Sequence, residues 1–212
     1  MARRSRGFTL IELLTVLVIV ALLSAVAFPS FSSARAMAQR TRTRVMFSQW
    51  ASAIAAFSSE YSCAPAFGAG HLVNDGAATN ISGDHLFHDL LAGRHRDGSA
   101  LDDNSDPLSA VAQNPKRIPF CRFAGADIGA DGRLCDASGN VEIAVLVDVD
   151  LDGWVTPGVD FDHLPIVHSP DGTALMPAAA DFPASGVRAG AVLYAADPSA
   201  CASNPVLVLS WK

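Results

Sequence analysis

Two stretches hold residue types that could do chemistry. The first is Asp148-Val149-Asp150-Leu151-Asp152-Gly153-Trp154. Carboxylates at alternate positions, then glycine, match the opening of an EF-hand-type calcium loop. Calcium takes about six to eight oxygens, and a tight loop gathers them from alternating residues. The expected ligands are Asp148, Asp150, Asp152 and the Trp154 carbonyl. The twelfth position is Val159 rather than a bidentate glutamate, so Asp160 or Asp162 would have to close the shell. The plain alternative is an acidic β-turn after a strand. The second stretch is the apolar run over residues 8–28, in which Glu12 is the anomaly. A carboxylate in hydrocarbon costs on the order of 2.5–3.5 kcal/mol, so an intramembrane acid implies a function. The nearest candidate partner is a free amino terminus on a neighbouring copy, exposed by cleavage between Gly7 and Phe8.

The remaining candidates are weaker. His85 and His88 lie three apart beside Asp84 and Asp89, but no complete zinc ligand set accompanies them, and a solvated helix face is expected. His71, His95, His163 and His168 are scattered through loops. There is no G-x-S-x-G elbow and no P-loop, and Gly68-Ala69-Gly70 is too short to cradle phosphate. Asn80-Ile81-Ser82 fits a glycosylation sequon. Nothing here points to an enzyme. The four cysteines all follow the apolar run, which favours disulfides on an exported domain. Three connectivities exist. The expected one joins Cys121 to Cys135 across a short loop, and Cys63 to Cys201.

These residues need elements to position them. Three arginines at positions 3, 4 and 6 precede the apolar run, which is long enough to cross a bilayer as a helix and would keep its head in the cytoplasm. Pro29 should kink the helix. Residues 30–61 contain no glycine or proline, and Phe47, Trp50, Ile54, Phe57 and Tyr61 recur on one helical face that should cover a domain. Arg40, Arg42 and Arg44 form a collar near the membrane exit. A helix over 8–61 would be roughly 80 Å long at ~1.5 Å per residue, more than a domain of this size can bury along its whole length. Half of it must lodge in lipid or in neighbouring copies. Beyond it come a loop over 67–83, a short helix over 84–91 capped by Asp84, and strands over 118–123, 141–147, 191–194 and 206–211. The fold class is α+β: a long helical spine on a small, mainly antiparallel sheet.

The 212 residues carry a net charge of −6, and removing the first seven leaves 12 basic and 21 acidic side chains, a net −9. That balance argues against a nucleic-acid partner. The boundaries expected are a leader at 1–7, a transmembrane and assembly helix at 8–29, an amphipathic half-helix at 30–62, and a globular domain at 63–212.

Gly7-Phe8-Thr9-Leu10-Ile11-Glu12-Leu13-Leu14 resembles the processing and assembly signal of type IV pilins and type II secretion pseudopilins. The resemblance implies cleavage after Gly7 by a prepilin peptidase, N-methylation of Phe8, and a role for Glu12 in assembly. Pro29 sits where the family helix often carries proline. Residues 42–61 and Asn114-Pro115-Lys116-Arg117-Ile118 resemble major pseudopilins, whose calcium-stabilised loop supports the calcium reading; residues 67–115 match poorly. The implied function is a subunit of a type II secretion pseudopilus. It would be anchored once in the inner membrane with its C-terminal domain in the periplasm, and polymerise with its own copies and other pseudopilins on the secretion platform. The alternatives are a type IV pilus subunit, or an exported binding protein or enzyme on a plain anchor. Ala25-Val26-Ala27 would serve as a cleavage site if the run were an ordinary secretory signal.

Overall fold

The structure, a computed structural model, describes residues 9–68, 70–74, 85–102 and 106–212, without the side chains of 25–33. Gly7, Phe8, Asp84 and the Asn80 sequon lie outside the described residues. The chain divides into two compact units, Met1–Ala38 and Gln39–Lys212.

Helix α1 spans Leu10–Tyr61 and is helical through Pro29 without a break. In the first unit its large apolar side chains from Leu10 to Leu23 are exposed on every side. A helix apolar all round has no solvent face and needs another cover. Among the described residues no helix is long and apolar enough to cross a membrane. The expected transmembrane span is therefore not met there: described apolar side chains run only over residues 10–24, with Glu12 among them.

In the second unit α1 turns amphipathic. Phe47, Trp50, Ile54 and Phe57 are buried, as their spacing predicts, and Tyr61 is half-buried. The helix stops where expected, at Ser62, whose φ is +54°. The buried face packs on an antiparallel sheet of β1 (Ile143–Val147), β4 (Ala191–Ala196) and β5 (Leu207–Leu209), in the order β1-β4-β5. The register pairs Ile143 with Ala195 and Val147 with Ala191. Alternate residues point to opposite faces. Ile143, Val145, Leu193 and Val208 meet α1, while Ala144, Leu146, Val192 and Tyr194 meet a second layer built on Val155, Phe161, Val167 and Phe182. Both faces are covered, which is why β1 and β4 read as continuous apolar runs. A two-stranded ribbon, β2 (Val167–His168) with β3 (Ala174–Leu175), lies in that second layer.

Helix α2 spans Leu86–Ala92 and ends at Gly93, φ +67°. A Cβ there would meet the Arg117 carbonyl oxygen at 2.5 Å, so only glycine fits. A short helix, α3 (Ala110–Gln113), leads to Asn114, which is fully buried. The expected strand over 118–123 does not form. Its backbone is drawn to other partners: Cys121 N–H donates to the Leu91 carbonyl, and Ile118 N–H donates to the Asn114 side chain. That side chain also donates to the Leu90 and Ile118 carbonyls, and accepts from the Tyr61 hydroxyl at 2.7 Å. One residue thus ties the end of α1, α2 and the 114–118 turn together. A net contribution of about 1 kcal/mol per bond, and the cost of stranding buried partners, set the scale. Asn114→Ala should lower unfolding free energy by about 3 kcal/mol, measured by denaturant titration of the chain without residues 1–30; a loss below about 1 kcal/mol would show that the hub is dispensable.

Candidate functional site

The start of α1 is the first candidate. Thr9 is its N-terminal neighbour, and Glu12 lies in the first turn. The Glu12 carboxylate accepts from Thr9 N–H at 2.9 Å and Thr9 Oγ–H at 2.7 Å, while Glu12 N–H reaches Thr9 Oγ at 3.4 Å. This is a capping box, T-x-x-E, which satisfies orphan donors of the first helical turn. Reading Glu12 as an acid without a partner in its own subunit missed it, although the spacing of Thr9 and Glu12 carries the signal. Glu12 has a local partner and remains exposed.

The second candidate follows β1 directly. Asp148, Asp150 and Asp152 present carboxylate oxygens within 4.8 Å of one another. Asp148 N–H still bonds to the sheet through the Gly190 carbonyl, so the loop begins on a fixed base. Its carboxylate accepts from Asp152 N–H at 3.1 Å and Gly153 N–H at 2.8 Å, curling the loop back on itself. Gly153 takes φ +90°, as the tight turn requires, and Leu151 holds φ +61°, a conformation that costs a side chain energy. Asp148 is buried while Asp150 and Asp152 are exposed. Burial pushes the Asp148 carboxyl above the usual carboxylate range, and Asp150 beside it pushes the same way; bonds from Gly153 and Asp152 oppose the shift.

Asp160 and Asp162 do not join this group. Asp160 is buried and spends both oxygens on backbone: Oδ1 accepts from Val149 N–H at 2.6 Å and Oδ2 from Thr156 N–H at 2.7 Å. It braces the loop from beneath. Asp162 is exposed, and Trp154 lies on the exposed rim with its N–H bonded to Asp152 at 2.7 Å. What the loop offers a cation is three convergent carboxylates, one of them desolvated and destabilised by its neighbour.

The cysteines are all free thiols, so the bridges expected for Cys121 with Cys135 and Cys63 with Cys201 are not formed. The Cys135 sulfur faces the Ala126 carbonyl in a 3-10 turn, Gly125–Asp127. Cys201 sits in a tight turn closed by its bridge to Asn204, with its sulfur 3.2 Å from Ser203 Oγ. Cys63 is exposed. Burial pushes the Cys121 thiol up to about 11, which leaves it unreactive at neutral pH.

The histidines divide differently from the expectation of a solvated face. His88 is buried, and its Nδ1 lies 2.8 Å from one oxygen of buried Asp89; His95 Nδ1 lies 2.7 Å from the other. Asp89 links α2 to the turn after it. Among the described residues these three do not bring their ligand atoms together as a metal cluster, so the zinc reading gains nothing. His71 and His168 stand apart from this group, and His168 pairs with Glu142 at 2.8 Å.

Residues 2–28 match the family described as the prokaryotic N-terminal methylation motif. No curated protein matches the chain, and no solved structure does. The motif takes in Glu12 and the exposed apolar residues from Leu10 to Leu23. This chain carries the prokaryotic N-terminal methylation motif, the signature of type IV pilins and pseudopilins.

Proposed function

We propose that the protein is a filament subunit of a type II secretion pseudopilus, anchored in the inner membrane through the first half of α1, with its C-terminal unit in the periplasm. One observation carries this reading: the methylation motif opens a helix that exposes its large apolar side chains all round from Leu10 to Leu23. Water is a poor solvent for that surface, and lipid or a bundle of neighbouring helices covers it. Phe8 to Phe28 in sequence supplies the length a bilayer needs, about 20 residues. Prepilin peptidase cuts after Gly7 and the new amine of Phe8 is methylated. That amine on one copy draws the Glu12 carboxylate of the next away from its Thr9 cap. The exchange replaces a local bond with a charge pair where lipid penalises lone charge. The pseudopilus, rather than a type IV pilus, is favoured by the resemblance of residues 42–61 to major pseudopilins and by the acidic loop after β1.

We further propose that Asp148, Asp150 and Asp152 hold a calcium ion, with the Trp154 carbonyl and water completing its shell. The convergent carboxylates support it. Bound calcium would supply the positive charge that ionised Asp148 lacks.

Three experiments test the filament reading. Mass spectrometry of the membrane-extracted protein should find a mature chain starting at methylated Phe8. Glu12→Ala should be processed normally yet yield few filaments; an uncleaved Met1, a Phe28 start, or normal filament yield would each count against the proposal. Loss of a secretion phenotype without loss of surface piliation on gene deletion would favour the pseudopilus over the pilus.

The calcium test rests on the sign of the Asp148 shift. Its carboxyl is raised in the folded state, so ionised Asp148 destabilises the folded chain at neutral pH, and that cost fades as pH falls through the folded-state value. A divalent cation removes the cost without acid. At a hundredfold excess over Kd, calcium should add about 2.7 kcal/mol. For a unit of this size that is a rise in Tm of about 5–10 °C over chelator. Asp150→Asn keeps the acceptor for Asp152 N–H but removes the neighbouring charge. In chelator at pH 7 it should melt at or above wild type; in calcium it should melt below it. Parallel melting of both proteins in both buffers would reduce the loop to an acidic turn.

A further inference from the structure

We infer that the acidic loop end of the C-terminal unit docks on the arginine-bearing face of α1 in a second copy, as a head-to-tail contact. This deepens the filament reading and rests on it. Two surfaces on the C-terminal unit lead to it.

The first surface surrounds the loop after β1. Val149, Leu151, Trp154 and Val159 are each at least 41% exposed. Four large apolar side chains crowd one short stretch among the exposed carboxylates of Asp150, Asp152 and Asp162. No lysine or arginine occurs between Arg133 and Arg188. Arg188 itself is exposed and follows Val187, which bridges Val155 beside the loop, so it offsets one charge and the carboxylates of Asp148, Asp150, Asp152 and Asp162 still outnumber it. Beside it a cavity of about 260 Å³ opens, lined in part by Phe67, Val147 and Val149. Leu151 is held outward on a left-handed backbone. Apolar anchors ringed by charge are the pattern of a binding surface rather than of a solvated turn.

The second surface is the outer face of α1. Arg42 and Arg44 are exposed, and among the described residues neither side chain makes a hydrogen bond or ion pair. Val45 lies between them around the helix and is 52% exposed. No acidic residue occurs between Glu12 and Glu60, so α1 itself offers these arginines no partner. Arg40, by contrast, is already spent on Asp197. The two surfaces complement each other in charge, and each places apolar side chains among its charges.

Their positions decide the geometry. Gln39, Arg40 and Thr43 reach Ala137 and Asp197, at the end of the sheet where β1 begins. The acidic loop leaves the other end of β1, beside residues 64–67 that follow α1. The surfaces therefore lie at opposite ends of one unit and cannot meet within a single chain. A contact between unlike surfaces leaves one of each unsatisfied at the two ends of any dimer, so it propagates. The class of partner is a second copy of this chain. The charges steer the approach and set register.

The test uses the full-length chain in its membrane. Ser48 lies one helical turn beyond Arg44 and Val45, and Val159 is on the loop rim. Ser48→Cys combined with Val159→Cys, treated with a short bifunctional thiol crosslinker, should give a ladder of multimers. With Cys63→Ser introduced throughout, since exposed Cys63 precedes residues 64–67 beside the loop, the otherwise unchanged chain and either single variant should give only background from the remaining thiols. In the same double-cysteine chain, Arg42→Glu with Arg44→Glu should lower ladder yield by about tenfold or more, and Arg42→Lys with Arg44→Lys should retain it. Sedimentable filaments without a ladder, or a ladder indifferent to the charge reversal, would overturn this contact and leave the filament reading standing. Absence of filaments from the processed wild-type chain would overturn the filament reading, and the contact with it.

Discussion

The packing of one helical stripe on one sheet face holds the C-terminal unit together. Phe47, Trp50, Ile54 and Phe57 are all but fully buried against residues of β1, β4 and β5. Burying each such side chain is worth about 1.5–3 kcal/mol relative to leaving it in water. Aromatic contacts extend the same face: Trp50 meets Phe87 edge-on at 5.3 Å and Phe123 at 5.8 Å, and Phe57 meets Phe120 at 5.5 Å. The stripe thereby fixes α2 and the irregular segment after α3 as well as the sheet. It also fixes where the chain leaves α1, and so where residues 64–67 lie beside the acidic loop. Further toward the N-terminus the stripe ends, and the large apolar side chains described from Leu10 to Leu23 are exposed.

Elements with a strong local pattern were legible in the sequence. The stripe on α1, its end before Cys63, and strands at β1, β4 and β5 follow from spacing, β-branching and turn residues. The strand expected over 118–123 did not, because its donors go to Leu91 and Asn114, which no local pattern reveals. The ribbon of β2 and β3 is too short to leave a periodic trace. At the candidate site, Asp148, Asp150 and Asp152 converge as their spacing implies, since alternate residues fall on one side of a loop that Gly153 folds back. The bonds that Asp160 accepts from Val149 and Thr156 left no trace in the sequence, because those backbone groups are brought near only by the fold. The pairings expected for Cys121 with Cys135 and Cys63 with Cys201 are not formed here, where all four thiols are free. Asp89, between two histidines on α2 and the following turn, was hidden because a short helix buried nearly all round reads like a solvated one in charge alone.

The acidic loop shows how a rigid frame can hold an unfavourable arrangement. The sheet supplies the base through the bond from Asp148 to Gly190, and Asp160 braces the loop from below. Between these supports sit a left-handed leucine, a buried carboxyl raised by its surroundings, and three converging like charges. Each raises the energy of the loop, and none would persist in a free peptide. Strain of this kind is retained where the surrounding structure over-determines it.

The pair of Arg40 with Asp197 has a mechanical meaning. Arg40 Nη2 donates to Asp197 Oδ1 at 2.9 Å and to Ser199 Oγ at 2.8 Å, and its Nε faces the other carboxylate oxygen. Burial alone would raise the Asp197 carboxyl, but the bonds from Arg40 and Ser199 hold it below the usual range. The pair lies within the first residues of α1 that belong to the C-terminal unit. Any tension applied through the helix from its N-terminal side reaches this clamp before it reaches the aromatic stripe. Asp197 directly follows β4, the central strand, so the load passes into the strand bonded on both edges. Such a joint hands a pull to the central strand of the sheet before the buried aromatics bear it.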